Sequence, residues 1–232
     1  MVYHWFADGE STFSVSIIKD NRLRTGQQVQ THFAINLHIK DLELLNRIQS
    51  FFGVGGISIK SDKNSAQYHV SGIPNLVNVI IPHFDPLLTK KREDFELFKL
   101  IIELMVKKEH LNSEGLNNIV AIRAAMNKGL SEELKTAFPG IIALERPKFV
   151  GSETFEPYWV TGLADGESCF DASIIKSERA TGGFVVSLRF RLTQHARDEQ
   201  LLKSLVDFFD CGRYSPRTNN KNAGGCNKFL RY

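Results

Sequence analysis

Polar and apolar residues alternate over Thr12–Lys19: Phe13, Val15 and Ile17 fall on one side, Thr12, Ser14 and Ser16 on the other. A period of two predicts a strand with one buried face. Arg22–Gly26 reads as a turn. Gln28–Leu37 then alternates again, with Val29, Phe33, Ile35 and Leu37 inward and Gln28, Gln30, His32 and Asn36 outward. The period lengthens at Asp41–Phe52, where Leu42, Leu45, Ile48, Gln49 and Phe52 recur at helical spacing. Gly56–Lys60 and Ala66–Val70 predict a third and a fourth strand, with Ser58, Lys60, Gln67 and His69 on their polar side. Two longer helices follow. Lys91–His110 carries Phe95, Phe98, Ile102 and Met105; Ser113–Asn127 carries Leu116, Ile119, Ile122 and Met126. Ser131 opens a short helix that stops near Pro139. Residues 145–157 read as a linker, and Pro157 suits the first turn of the next helix.

The same pattern then begins again. An offset of 157 positions lays Ala7-Asp8-Gly9-Glu10-Ser11 on Ala164-Asp165-Gly166-Glu167-Ser168, and Ser16-Ile17-Ile18-Lys19 on Ser173-Ile174-Ile175-Lys176. Without a gap, 21 of the 49 positions in 7–55 are identical, where average composition gives about three. The chain is a tandem duplication, and a site at the junction of the halves should be pseudo-twofold. The boundaries read as a first repeat over 1–144, a linker over 145–157 and a second repeat over 158–232. The expected fold class is α+β, a tandem pair of αββαββα units with saddle-shaped antiparallel sheets. The second unit is expected to be incomplete, because first-unit residues up to 138 would map as far as position 295. The counterparts of Lys91–His110 and Ser113–Asn127 would be missing, leaving the apolar back of the second sheet without cover.

Composition sets bounds on function. With 232 residues, 42% hydrophobic and 24% charged, the chain can bury a real core, which excludes disorder and a disulfide-built mini-protein. No apolar run approaches the ~20 residues of a membrane helix, and the start shows no secretory pattern. Three cysteines (Cys169, Cys211 and Cys226) form no CxxC pair, which fits a reducing compartment. The formal net charge of +3 is unevenly placed: residues 158–232 hold 11 Lys/Arg against 8 Asp/Glu, and the rest is balanced. That asymmetry points to an anionic partner.

The outward positions carry the candidate chemistry. A solvated antiparallel sheet would show polar positions on one face, and the first repeat alone does not separate the two readings. The second repeat adds Arg189 and Arg191 beside Ser187 and Thr193, with Lys176, Arg179, Arg213 and Arg217 nearby. Hydrogen-bonding side chains with arginine on two copies of one sheet suit base edges and phosphates in a DNA groove. Each repeat also opens with Asp-Gly-Glu at a helix end. If the two leading helices pack across the pseudo-dyad, two carboxylates meet there, and close carboxylates need a shared cation. Mg²⁺ is the natural one, and hydrolysis of a phosphodiester by metal-activated water the natural chemistry. The histidines form no ligand cluster. His38 and His195 precede Asp41 and Asp198 and read as helix-entry hydrogen-bonding residues, while Gly53-Val54-Gly55-Gly56 reads as a tight turn rather than a nucleotide loop.

Val160-Thr-Gly-Leu-Ala-Asp-Gly-Glu-Ser-Cys-Phe resembles the LAGLIDADG motif of homing endonucleases, and His4-Trp-Phe-Ala-Asp-Gly-Glu-Ser-Thr-Phe resembles a degenerate first copy. Asn112-Ser113-Glu114-Gly115-Leu116 and Asn127-Lys128-Gly129-Leu130-Ser131 extend the likeness over nearly the whole chain. The nearest group is the single-chain, two-repeat enzymes of organellar introns, and this chain looks truncated at both ends. The resemblance implies a Mg²⁺-dependent DNA endonuclease (Mn²⁺ or Ca²⁺ also fitting the site) that acts as a monomer on a long, near-palindromic duplex, in the mitochondrion and away from membranes. It implies catalytic and metal-liganding roles for Glu10 and Glu167, with Gly9 and Gly166 beside the metal. DNA contacts would fall on Thr12, Ser14, Ser16, Gln28, Gln30, His32, Ser58, Lys60, Gln67 and His69. In the second repeat they would fall on Asp171, Ser173, Ser187, Arg189, Arg191, Thr193 and Arg213. Two matched positions differ in kind, Trp5 standing where the second motif has Gly162 and Ala34 where the second repeat has Arg191, and only Met1–Asp8 precede Gly9. The alternatives are an intron maturase that binds RNA without cutting, and a fragment unable to fold alone.

Overall fold

A computed structural model describes residues 10–85, 91–127, 129–147, 155, 157–195, 198–216 and 223–230, with the side chains of 195 and 223–230 left aside. The chain divides into two compact units, the first spanning Glu10–Val150.

In the first unit, β1 (Ser11–Lys19) and β2 (Gln27–His38) form a hairpin, α1 (Leu42–Phe52) follows, and β3 (Gly56–Lys60) and β4 (Ser65–Ser71) complete an antiparallel sheet of order β1-β2-β4-β3. The hairpin closes where Asp20 N–H donates to the Gly26 carbonyl at 2.9 Å, with Gly26 at φ +68°. The alternation holds in three dimensions: Phe13, Val15, Ile17, Val29, Phe33 and Tyr68 are buried on one face. α1 presses Leu45, Ile48 and Phe52 into the core and ends on Gly53 in the left-handed region. The glycine run is a turn, as expected. Gly55 sits at φ +87°, where a Cβ would come within 2.5 Å of the His69 carbonyl oxygen.

Helices cover the apolar face. The α3 helix (Arg92–Val106) and the α4 helix (Ser113–Ala125) lie close to their expected spans. Between β4 and α3 the structure adds one that periodicity did not predict, α2, running Ile73–Asn75 as α, Leu76–Ile80 as π and Ile81–Phe84 as α. Its near-continuous apolar run and its prolines, Pro74 and Pro82, hide any polar stripe. Leu76, Ile80 and Phe84 nevertheless recur every fourth residue, and all three are fully buried. Phe13 is the hub of the cover, with ring centroids 5.8 Å from Phe84, 5.0 Å from Phe95 and 5.4 Å from Phe98. Such tilted and edge-on pairs contribute ~0.5–1.5 kcal/mol each beyond area burial. A short helix, α5 (Glu132–Ala137), is capped by Ser131 as expected.

β1 is an edge strand, and the helical layer seals that edge. The Ser11 carbonyl accepts from Lys91 Nζ, the Phe13 carbonyl from Asn127 Nδ2 at 3.2 Å, and the Val15 carbonyl from Arg123 Nε at 2.7 Å. Three outward carbonyls that could template another strand are thereby occupied. The buried Asp94 carboxylate takes Arg146 Nη1 at 2.9 Å and the Asn127 N–H at 2.9 Å. Arg146, inside the expected linker, is thus pinned to α3.

The second unit repeats the plan. Pro157 opens α6 (Pro157–Glu167), followed by β5 (Ser168–Lys176), β6 (Phe184–His195), α7 (Glu199–Phe209), β7 (Arg213–Pro216) and β8 (Ala223–Leu230), in sheet order β5-β6-β8-β7. The hairpin turn is copied atom for atom: Ser177 N–H donates to the Gly183 carbonyl at 2.9 Å, with Gly183 at φ +73°. A smaller core gathers Trp159, Val160, Leu163, Leu192, Leu202 and Leu205. The expected open face is present. Phe170 and Ile174 are 79% and 73% exposed, where their first-unit mates Phe13 and Ile17 are 2% and 8% exposed.

Candidate nucleic-acid interface

The face of the first sheet opposite the core is built in cross-strand rows. Thr12, Ala34, His69 and Gly56 form one row; Ser14, His32 and Ser71 a second; Asn36, Gln67 and Ser58 a third; His38, Ser65 and Lys60 a fourth. Ser16 pairs with Gln30, and Gln30 Nε2 donates to Gln28 Oε1 at 2.9 Å. All ten residues assigned to DNA contact in this repeat therefore share one face, from strand alternation and register alone. The face is polar but nearly uncharged. Burial pushes the His32 pKa down, and the nearby His69 pushes it the same way, so the imidazole is neutral at pH 7. His38 behaves as its position implied, its Nδ1 accepting from the Lys40 N–H at 3.2 Å.

The second sheet presents the matching face with different chemistry. Cys169 pairs with Arg191, Asp171 with Arg189, and Ser173 with Ser187; Thr193 follows on the same side of β6. Arg213 joins the Arg191 row through the β8 register at Asn227. Asp171 Oδ2 stands 3.6 Å from Arg189 Nε and 3.3 Å from Arg191 Nη2, and Arg189 Nη2 donates to Ser173 Oγ at 3.0 Å. All seven residues assigned to DNA contact in this repeat share that face.

The candidate acids occupy equivalent places. Glu10 is half-buried and leads directly into β1; Glu167 is half-buried, ends α6 and leads directly into β5. Gly166 lies in the last turn of α6. Gly9, Trp5 and the segment before Glu10 lie outside the described residues. Among the described residues, no group of three or more His, Cys, Asp and Glu forms a metal cluster, and no helix is long and apolar enough to cross a membrane.

Sequence reasoning missed Lys91. Its position in the Lys90-Lys91-Arg92 run reads equally as a phosphate grip or a solvated helix start, yet its ammonium group lies at the Ser11 carbonyl, one residue past Glu10. Eighty residues separate the two, so no local pattern signals the meeting. The Asp171–Arg189 pairing was within reach, because the repeated turn fixes the hairpin register.

Known proteins agree with this geometry. The profile of the LAGLIDADG endonuclease family matches residues 6–102 and 160–228. The probable intron-encoded endonuclease 2 of Neurospora crassa is 40% identical over 229 residues, covering 93% of this chain and 49% of its own length. Among solved structures, the I-LtrWI LAGLIDADG homing endonuclease bound to target DNA superposes with a TM-score of 0.91 at 37% identity, covering all of this chain and 77% of that one. I-SmaMI bound to an uncleaved DNA target in the presence of calcium ions gives a TM-score of 0.91 at 35% identity, covering 99% of this chain and 78% of that one. The chain spans about half the length of the curated relative it matches. A duplicated ββαββ plan, two polar sheet faces each headed by a glutamate, and a family profile covering both repeats lead to one conclusion: the chain belongs to the LAGLIDADG endonuclease family.

Proposed function

We propose that the chain is the catalytic region of a homing endonuclease that binds a long DNA duplex with its two sheet faces and cuts both strands. One observation carries the reading: two copies of a polar sheet face, in matched strand order, each with a half-buried glutamate at its head. The faces supply amide, hydroxyl, imidazole and guanidinium groups, the set that reads base edges and phosphates. DNA-bound relatives of the same fold support the substrate class.

The donor set fits a divalent ion. Glu10 and Glu167 offer hard carboxylate oxygens, and Mg²⁺ is held by one or two carboxylates plus phosphate and water. When bound, Mg²⁺ (or Mn²⁺ or Ca²⁺ in its place) supplies Lewis-acid activation of water and stabilisation of the leaving oxygen. The calcium ions in the I-SmaMI complex support that reading. Glu10 and Glu167 present the liganding oxygens, with Gly9 and Gly166 keeping the adjoining backbone free of side chains. Lys91, at the Ser11 carbonyl, adds a positive charge beside Glu10. The two polar faces orient the duplex, which supports both phosphodiesters being presented in register. The protein acts as a monomer, each repeat serving one half of the target. The fungal, intron-encoded relative supports a mitochondrial location. No feature of the structure favours the RNA-binding maturase alternative.

Cleavage of a duplex selected by binding tests the proposal. With Mg²⁺ both strands are cut at a fixed position, and chelation by EDTA stops cutting without releasing DNA. Undiminished cutting in EDTA, or no cutting with any divalent ion, contradicts it.

A further inference from the structure

The two faces differ most at one matched set of positions. The first repeat has Ser14, His32 and Ala34; the second has Asp171, Arg189 and Arg191. In the first, Ser14 Oγ turns back to the His32 carbonyl at 3.4 Å and no formal charge is present. In the second, one carboxylate oxygen stands between two guanidinium groups, 3.6 Å from Arg189 Nε and 3.3 Å from Arg191 Nη2. Ser173 Oγ holds Arg189 from the other side, and Cys169 Sγ lies 4.0 Å from Arg191 Nη2. The three side chains are one-quarter to one-third exposed, which limits screening by solvent. Two cations against one anion leave a net positive charge. Among the described residues, neither arginine's buried Nε–H has a hydrogen-bond acceptor.

We propose that Asp171 is a positioning residue that holds Arg189 and Arg191 as a fixed pair reading guanine in one half of the target, so that the target is asymmetric at this step. The proposal rests on the DNA-binding reading above. Guanine offers two acceptors, O6 and N7, on its major-groove edge, and the planar guanidinium fork matches that pair as no other side chain does. The Asp171 carboxylate could itself accept from cytosine N4, but it is engaged by both arginines. Arginine in solution samples many rotamers, and fixing two of them beforehand removes an ordering cost from binding. The first repeat, with a serine, an imidazole and a methyl group in these places, has no equivalent fork. A near-palindromic target should therefore break its symmetry here.

The test is selection of bound duplexes from a randomised library by the whole chain, with Ca²⁺ present, followed by sequencing. The wild-type protein should enrich guanine at one position in one half only. Asp171→Asn should lower that guanine preference about tenfold, the scale of one bidentate base contact, while base preferences at other positions are kept and non-specific affinity, with one anion fewer on the face, does not fall. Arg191→Lys, which keeps the charge and loses the fork, should lower the guanine preference by a similar factor. Replacing the selected guanine by 7-deazaguanine should weaken wild-type binding and leave Arg191→Lys unaffected. Equal guanine preference in Asp171→Asn and the wild type overturns the proposal, as does enrichment without a one-sided guanine. Failure of the wild type to enrich any duplex overturns the DNA-binding reading and this proposal with it.

Discussion

His32 shows how one side chain on the polar face links function to pH. Its pKa is lowered first by burial and then by the neighbouring His69, while an unfolded histidine titrates near ~6.5. The unfolded chain therefore binds more protons than the folded one just below that value. Stability is complete above about pH 6.5, falls as pH drops from there to the folded pKa, and then levels off. His110, whose pKa burial also lowers, adds to the same slope. Denaturant midpoints at pH 7.5 and 5.5 should show this loss, and it should shrink in a His32→Asn/His110→Asn double variant; an unchanged slope contradicts the linkage. Asp94 is a second residue whose effect can be sized. It is 6% exposed and holds both Arg146 and the Asn127 amide. Removing one partner of a fully buried pair costs ~3–5 kcal/mol. Arg146 keeps Glu93 at 2.5 Å and some solvent, so Asp94→Asn should cost about 2–3 kcal/mol of unfolding free energy, read from denaturant melts. Alternation placed most of the assigned contact residues on their face, because a strand leaves a side chain only two directions. Lys91 and Asp94 escaped because their partners are distant in sequence.

At the scale of elements, turns and caps were the most legible parts. The hairpin turn, the Asp41 and Asp198 helix entries and the left-handed residues Gly53 and Asp210 recur at the same 157-residue offset in the backbone. The α2 helix was hidden because its sequence is apolar nearly all round and carries two prolines, so its fourfold spacing of Leu76, Ile80 and Phe84 has no polar contrast. The start of α4 is specified by chemistry the sequence displayed. Asn112 Oδ1 accepts from the Gly115 N–H at 2.8 Å, and a Cβ on Gly115 would fall 2.2 Å from the Glu109 carbonyl oxygen. Asn112→Ala should therefore cost about 1 kcal/mol, the usual cap value. Gly115→Ala should cost more, about 1–3 kcal/mol as an overpacked contact that backbone must relieve. Thermal melts of the two variants settle the order, and a stabilised Gly115→Ala contradicts the close approach.

At the scale of the whole molecule, the two units share a plan and differ in cover. The first buries its sheet under α2, α3 and α4 and seals the β1 edge with three side chains. The second leaves Phe170, Ile174, Val186 and Leu188 exposed. Full burial of one such side chain contributes ~1.5–3 kcal/mol, so the second unit should unfold first. Calorimetry should resolve two transitions, the lower one abolished by Leu202→Ala within the second core. Anilinonaphthalene sulfonate should bind the native chain at its open face, and a single cooperative melt with no dye binding contradicts this difference. DNA affinity should fall with salt, each neutralised phosphate adding ~0.9 to the log–log slope. The duplication and the uncovered face were legible because the offset compares the chain with itself.

Cleavage by the Glu10→Gln and Glu167→Gln variants on a selected duplex with Mg²⁺ tests the central claim most directly, with binding measured alongside in Ca²⁺. Each substitution should abolish double-strand cutting while affinity stays within about threefold of the wild type, a change under ~1 kcal/mol. Cutting at the wild-type rate by the doubly substituted protein contradicts the assignment of the two glutamates.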